Sequence, residues 1–152
     1  MRVAVVVPFR PGCPHRERAW AYVRSLYAEH HPDWQVIEAR APEGEWCKGA
    51  TLAPAIAACD AEIVTQCDAD VWCDGLAAAI GAVEAGAAWA LPHTLVHRLS
   101  EEGSAAVLAD APWQEQPLTQ PPYKGIEGGG IVVASREVIH SIPLDVRFTG
   151  WG

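Results

Sequence analysis

The chain alternates between two hydrophobic rhythms. Residues 3–7, Val-Ala-Val-Val-Val, form an unbroken apolar run, β-branched at four of five positions, the pattern of a strand buried on both faces, and Pro8 predicts its end. Over 15–30 the rhythm lengthens. Ala19, Trp20, Val23, Leu26 and Tyr27 recur at three-and-four spacing, which predicts a helix with one buried face. A short strand follows at 34–39, then a loop with Pro42 and Gly44. A helix over 49–59 turns Leu52, Ala53, Ile56 and Ala57 inward, with Pro54 tolerable only near its first turn. The run at 61–67 predicts a third strand. Asp74 predicts the cap of a helix over 75–85 with Leu76, Ile80 and Val83 inward, and 87–91 reads as a fourth strand.

The second half is less regular. Residues 110–124 carry Pro112, Pro117, Pro121 and Pro122, which predicts a loop or lid without regular structure. Gly128-Gly129-Gly130 leads into a fifth strand at 131–133, and 136–140 reads as a short helix. The alternation predicts an α/β fold, a mostly parallel central sheet with helices on both faces, in a single domain over 1–152. No internal repeat or low-complexity tract interrupts it.

Composition narrows the function. At 152 residues the chain is long enough for a real core, and no apolar run is long enough to cross a bilayer. Five Cys without a C-x-x-C pair argue against a disulfide framework or a thiolate zinc site. With no signal-peptide pattern at its start, a cytoplasmic setting is expected. A net charge of −8 disfavours a nucleic-acid partner, because phosphate affinity comes from clustered Lys and Arg.

In such sheets ligands sit at the carboxyl ends of the strands. Pro8, Phe9 and Arg10 follow the first strand, Glu38 and Arg40 the second, and Asp68-Ala69-Asp70 the third. On an extended backbone, carboxylates at i and i+2 lie on one side, so Asp68 and Asp70 can share a hard cation or divide a cation and a sugar hydroxyl. The set suits a nucleoside diphosphate carried with a divalent ion, with Arg10 or Lys48 neutralising the remaining charge. No G-x-G-x-x-G follows the first strand and no G-x-x-x-x-G-K-[ST] occurs, which removes the dinucleotide and P-loop sites. A receiver domain would need acidic residues after the first strand, where Pro8-Phe9-Arg10 stands. His93 and His97 are spaced like zinc-protease ligands, but without the intervening Glu a surface loop is expected. The cysteines are expected to be small apolar fillers, and His30-His31 to sit at a helix end.

Five segments occur in an order that carries a resemblance: Val7-Pro8-Phe9-Arg10, 46–52 (Trp-Cys-Lys-Gly-Ala-Thr-Leu), Cys67-Asp68-Ala69-Asp70-Val71, Gly128-Gly129-Gly130 with Ser135-Arg136-Glu137, and Phe148-Thr149-Gly150-Trp151-Gly152. In this order they resemble the motifs of GT-A fold glycosyltransferases, which share a Rossmann-like nucleotide-diphospho-sugar transferase fold. The nearest pattern is that of the β-1,4-galactosyltransferase and polypeptide N-acetylgalactosaminyltransferase group. The resemblance implies metal-dependent transfer from a UDP-sugar, of the UDP-galactose or UDP-N-acetylhexosamine class, to an acceptor hydroxyl on a glycan, protein or small molecule. It implies that 1–92 is the nucleotide-binding half and 93–152 part of the donor and acceptor half.

By resemblance, Pro8, Phe9 and Arg10 line the uridine and diphosphate pocket, Trp46 stacks on uracil, and Lys48 reaches the nucleotide. Asp68 matches the carboxylate that holds ribose or donor sugar, and Asp70, with Asp68, the ligand of Mn²⁺ or Mg²⁺. Gly129 and Gly130 match the bare backbone that the donor sugar approaches, and Trp151 the loop tryptophan against donor and acceptor. Glu38 is a further candidate for uridine. The family's catalytic base follows its Gly-Trp-Gly, so that base is expected beyond Gly152, with Glu127, Asp110 and Asp145 as substitutes inside the chain. The competing expectation is a nucleotide-sugar binding module that does not catalyse. A nucleotidyltransferase would share the sheet, but the glycine-rich loop expected after strand one is missing.

Overall fold

In the computed structural model, residues 1–124, 130–142 and 144–150 are described, and they confirm an α/β architecture. The first compact unit comprises residues 1–92 with the described residues from Gly130 onward; the second spans residues 93–124.

Strand β1 (Val3–Phe9) is buried at every position, and its alternation builds both layers of the core. Val3, Val5, Val7 and Phe9 face α1 (Pro14–His30) and α3 (Leu76–Glu84), packing on Trp20, Val23, Tyr27, Leu76 and Ile80. Ala4 and Val6 face the other way, onto Leu52 and Ile56 of α2 (Lys48–Ala58) and Ile139 of α5 (Arg136–Ser141). A strand with helices on both sides needs this continuous apolar run.

Pro8 does not end β1. The Phe9 carbonyl accepts from Ala41 N on the side of β2 (Gln35–Arg40), so Pro8 faces the side of β3 (Ile63–Cys67). There the pairing has already stopped at Val6 opposite Gln66, and the missing N–H forfeits no ladder bond.

The sheet order is β2-β1-β3-β5-β4, with β4 at Trp89–Ala90 and β5 at Ile131–Ser135. β1 pairs in parallel with β2 and β3, whereas β5 runs antiparallel to both β3 and β4. The sheet is therefore mixed. The reversed strand carries a consequence for the site: Cys67, the last residue of β3, lies opposite Ile131, the first of β5.

Two helix expectations change. Pro54 lies at the seventh position of α2, deeper than the first turn, where an interior proline costs about 3 kcal/mol. It is exposed, while Leu52 and Ile56 beside it are 0% and 6% exposed, and burial of about 1.5–3 kcal/mol each offsets that loss. Thr51 replaces Ala57 on the buried face. Asp74 does not cap α3; its carboxylate accepts from Trp72 Nε1 at 2.8 Å, and Gly75 takes the N-cap position. A Cβ at Gly75 would stand 2.2 Å from the Pro92 carbonyl oxygen, so close backbone approach requires glycine there.

The second unit contains α4 (Glu101–Val107), capped by Ser100 Oγ accepting from Gly103 N, which the sequence pattern did not show. A single 3₁₀ turn at Trp113–Glu115 and bridges from Val96 to Tyr123 and Leu99 to Leu118 order the proline-rich segment expected to lack regular structure. His93 and His97 lie in a loop, as expected. No helix among the described residues is long and apolar enough to cross a membrane.

Candidate functional site

The carboxyl ends of β1, β2 and β3 bring Arg10, Arg40 and Asp68 to one edge of the sheet, and antiparallel β5 begins at that same edge. Asp68 is fixed from several sides. Its amide donates to the Gly130 carbonyl at 2.8 Å, and its own carbonyl accepts from Val71 N at 3.3 Å, closing a turn. Asp68 and Asp70 are thus in a turn rather than on extended backbone, so strand geometry does not set their relative direction. Asp68 is half-buried and Asp70 exposed.

Gly130 fits against this turn because it has no side chain. Its φ is +69°, and a Cβ would stand 2.8 Å from Asp68 Oδ2 and 3.1 Å from Val71 Cγ2. The glycine expected to admit a donor sugar also admits the Asp68 carboxylate.

The other oxygen of Asp68 meets a cation. Lys48 Nζ stands 2.6 Å from Asp68 Oδ1, and both side chains are about four-fifths buried, 23% and 20% exposed. Cys47 delivers this lysine. Its Sγ accepts from Ala50 N at 3.3 Å to cap α2, and lies 3.1 Å from the Phe148 carbonyl oxygen. Gly150 closes the other side, donating to the Trp46 carbonyl at 2.7 Å and accepting from Lys48 N at 3.2 Å.

Arg10 lies over the indole of Trp46, 5.4 Å from its centroid, and donates to the Pro42 carbonyl at 3.2 Å. Pro8 and Phe9 are buried inside β1, with the Phe9 ring 6.5 Å from Trp20. They are core residues. Glu38 is held within the chain by Trp20 Nε1 at 2.8 Å and Arg40 Nε at 3.1 Å, one on each carboxylate oxygen. Trp20's polar role was not legible, because its spacing marks only a buried helix face.

A brace beneath the turn was also missed. Tyr27 OH donates to Cys67 Sγ at 3.2 Å, and that thiol lies 3.3 Å from the Asp68 carbonyl oxygen. Burial pushes the Cys67 thiol up to about 12 and raises Tyr27 as well, so both stay protonated donors at neutral pH. Cys47, Cys59 and Cys67 are buried as filler cysteines should be, but Cys13 is exposed.

Each described candidate base has its own setting. Asp110 belongs to the second unit, with φ +65°. Asp145 accepts from Arg147 through both carboxylate oxygens, and that side-chain pairing, then the Arg147 amide, lowers its pKa. Glu127, Gly129 and Trp151 fall outside the described residues.

Among the described residues no three His, Cys, Asp or Glu side chains form a metal cage. A cation at the Asp68-Asp70 turn would have to bring phosphate oxygens and waters as its other ligands. The Lys48 ammonium at Asp68 Oδ1 shows that this position accommodates positive charge. An open depression of about 460 Å³, lined by Glu62, Ser135, Arg136, Glu137 and His140, lies at the opposite end of the strands, where this fold class does not place ligands.

No family model matches the chain, and no curated protein or solved structure is significantly similar to it.

Proposed function

We propose that the chain is a GT-A type donor-binding domain that takes a UDP-sugar together with Mn²⁺ or Mg²⁺ and serves glycosyl transfer to an acceptor hydroxyl. The observation that carries this reading is the meeting of Lys48, Asp68 and Gly130 at the carboxyl edge of the sheet, with Arg10 and Trp46 on the same ligand-binding edge. Trp46 offers an aromatic face to a base, Lys48 and Arg10 offer charge to a diphosphate, and the Asp68-Asp70 turn offers oxygens to a cation and to sugar hydroxyls. Bound there, the cation would supply charge neutralisation for the departing diphosphate. The acceptor oxygen would form its bond to the anomeric carbon as that carbon's bond to the phosphate oxygen breaks, the electron pair leaving with UDP and the hydroxyl proton passing to a general base. Five thiols without a disulfide fit a reducing, cytoplasmic setting.

One observation favours a second reading, a donor-binding module without transfer. A general base must reach the acceptor proton with a free lone pair. Asp145, the candidate base described in the first unit, is committed to Arg147.

Calorimetry of UDP with and without Mn²⁺ tests the common core of both readings. Tighter binding with Mn²⁺ is expected, and equal affinity in EDTA would remove the metal from the proposal. UDP release from UDP-sugars with a panel of sugar and peptide acceptors then separates transfer from binding alone.

A further inference from the structure

Lys48 is the first residue of α2, where the positive end of the helix dipole disfavours a cation, and no acidic residue shares that first turn. Asp68, brought from β3, supplies the compensating charge. A pair this far buried is screened less than a surface ion pair. The geometry also decides which oxygen is contested. Asp68 Oδ2 packs toward Gly130, while Oδ1 carries the Lys48 ammonium. A divalent ion and an ammonium on one carboxylate oxygen repel, and the repulsion grows as water is excluded.

We propose that Lys48 is an internal counter-cation that closes Asp68 to free divalent metal and is handed to the diphosphate when nucleotide and metal arrive together. Metal alone must break the Lys48–Asp68 pair and leave the ammonium without that carboxylate. A metal–diphosphate chelate brings phosphate oxygens that replace it, so the exchange conserves the lysine's pairing. The two ligands are then positively coupled, each raising the other's affinity by the same factor.

The identity of the anion rests on the nucleotide reading above; the metal arm of the test does not. Free Mn²⁺ binding is followed by electron paramagnetic resonance for the wild-type chain and Lys48→Met, without nucleotide, and UDP binding by calorimetry at saturating Mn²⁺. Lys48→Met is expected to bind free Mn²⁺ about fivefold or more tightly, and UDP with Mn²⁺ about tenfold more weakly. Lys48→Arg, which keeps the charge, should restore the weak metal binding, and Lys48→Gln replaces Met if circular dichroism shows that variant misfolded. Mn²⁺ affinity in the neutral variants equal to or weaker than wild type overturns the closure of Asp68, as does absence of Mn²⁺ binding in all of them. Tighter Mn²⁺ in Lys48→Met, with no UDP binding by wild type, would instead overturn the nucleotide reading and the hand-over while leaving the closure standing.

Discussion

Gly130 and Asp68 are held against each other by both backbone and side chain: the Asp68 amide donates to the Gly130 carbonyl at 2.8 Å, and the Asp68 carboxylate fills the space a Cβ at position 130 would need. Strand β5 therefore does more than extend the sheet. Gly130, the residue that leads into it, fixes the turn that carries Asp68.

Gly130→Ala places a Cβ in a left-handed backbone, costing roughly 1–2 kcal/mol, and drives it into the Asp68 carboxylate. The variant should melt several degrees lower and bind Mn²⁺–UDP more weakly. Gly81→Ala is the contrasting change, in open space inside α3 without a positive φ, and should stabilise by about 0.5–1 kcal/mol. Parallel melts decide the point, and equal effects of the two substitutions would remove the special role of Gly130.

Trp46 is half-exposed, and the backbone bonds that tie it to Gly150 do not need its indole. Trp46→Ala should leave the fold intact and weaken UDP about tenfold, the scale of one lost base stack. Calorimetry at saturating Mn²⁺ measures this. Unchanged affinity in a folded variant would make the indole a platform for Arg10 alone.

Thr65 is fully buried between Val5 and Val133 in register, and its hydroxyl has no hydrogen-bond partner among the described residues. A buried unpaired polar group costs about 1–3 kcal/mol. Thr65→Val keeps the shape and removes the hydroxyl, so the urea midpoint should rise, by about 1 kcal/mol in stability. An unchanged or lower midpoint would show that the hydroxyl is satisfied.

His31 stacks on Trp34 with centroids 3.6 Å apart and planes 2° apart. Burial, and then the charge of His30, lower its pKa from the ordinary 6.5. The folded chain then binds this proton less readily than the unfolded chain, so stability is unaffected well above pH 6.5 and declines as pH falls below it. His31→Phe keeps a ring on Trp34 without a titrating group. Unfolding midpoints between pH 7.5 and 5 should fall more steeply for wild type than for the variant; parallel slopes would contradict the assignment.

The sequence by itself determined the layers. Val3 to Val7, short, rich in β-branched valine and followed by Pro8, read as a strand covered on both faces, and the three-and-four spacings around Trp20 and Ile80 as helices laid upon it, because burying apolar area is the dominant favourable term and periodicity states which faces must be buried. It also placed Asp68 among the candidates, because ligands sit at strand ends in this architecture, and offered Lys48 as a neutralising charge; Gly130 entered only through the resemblance. Direction and distance were another matter. An apolar strand reads alike from either end, so nothing in Ile131 to Ser135 told that β5 runs antiparallel. Local signals were also overruled by partners far along the chain. Asp74 turned its carboxylate to Trp72 while Gly75, which the Pro92 carbonyl approaches too closely for any side chain, took the cap position, and Pro8 stayed within β1 because its pairing with β3 had already stopped. The ion pair of Lys48 with Asp68 spans twenty positions of sequence and exists only because α2 begins at the edge where β3 ends, so tertiary structure alone decided it.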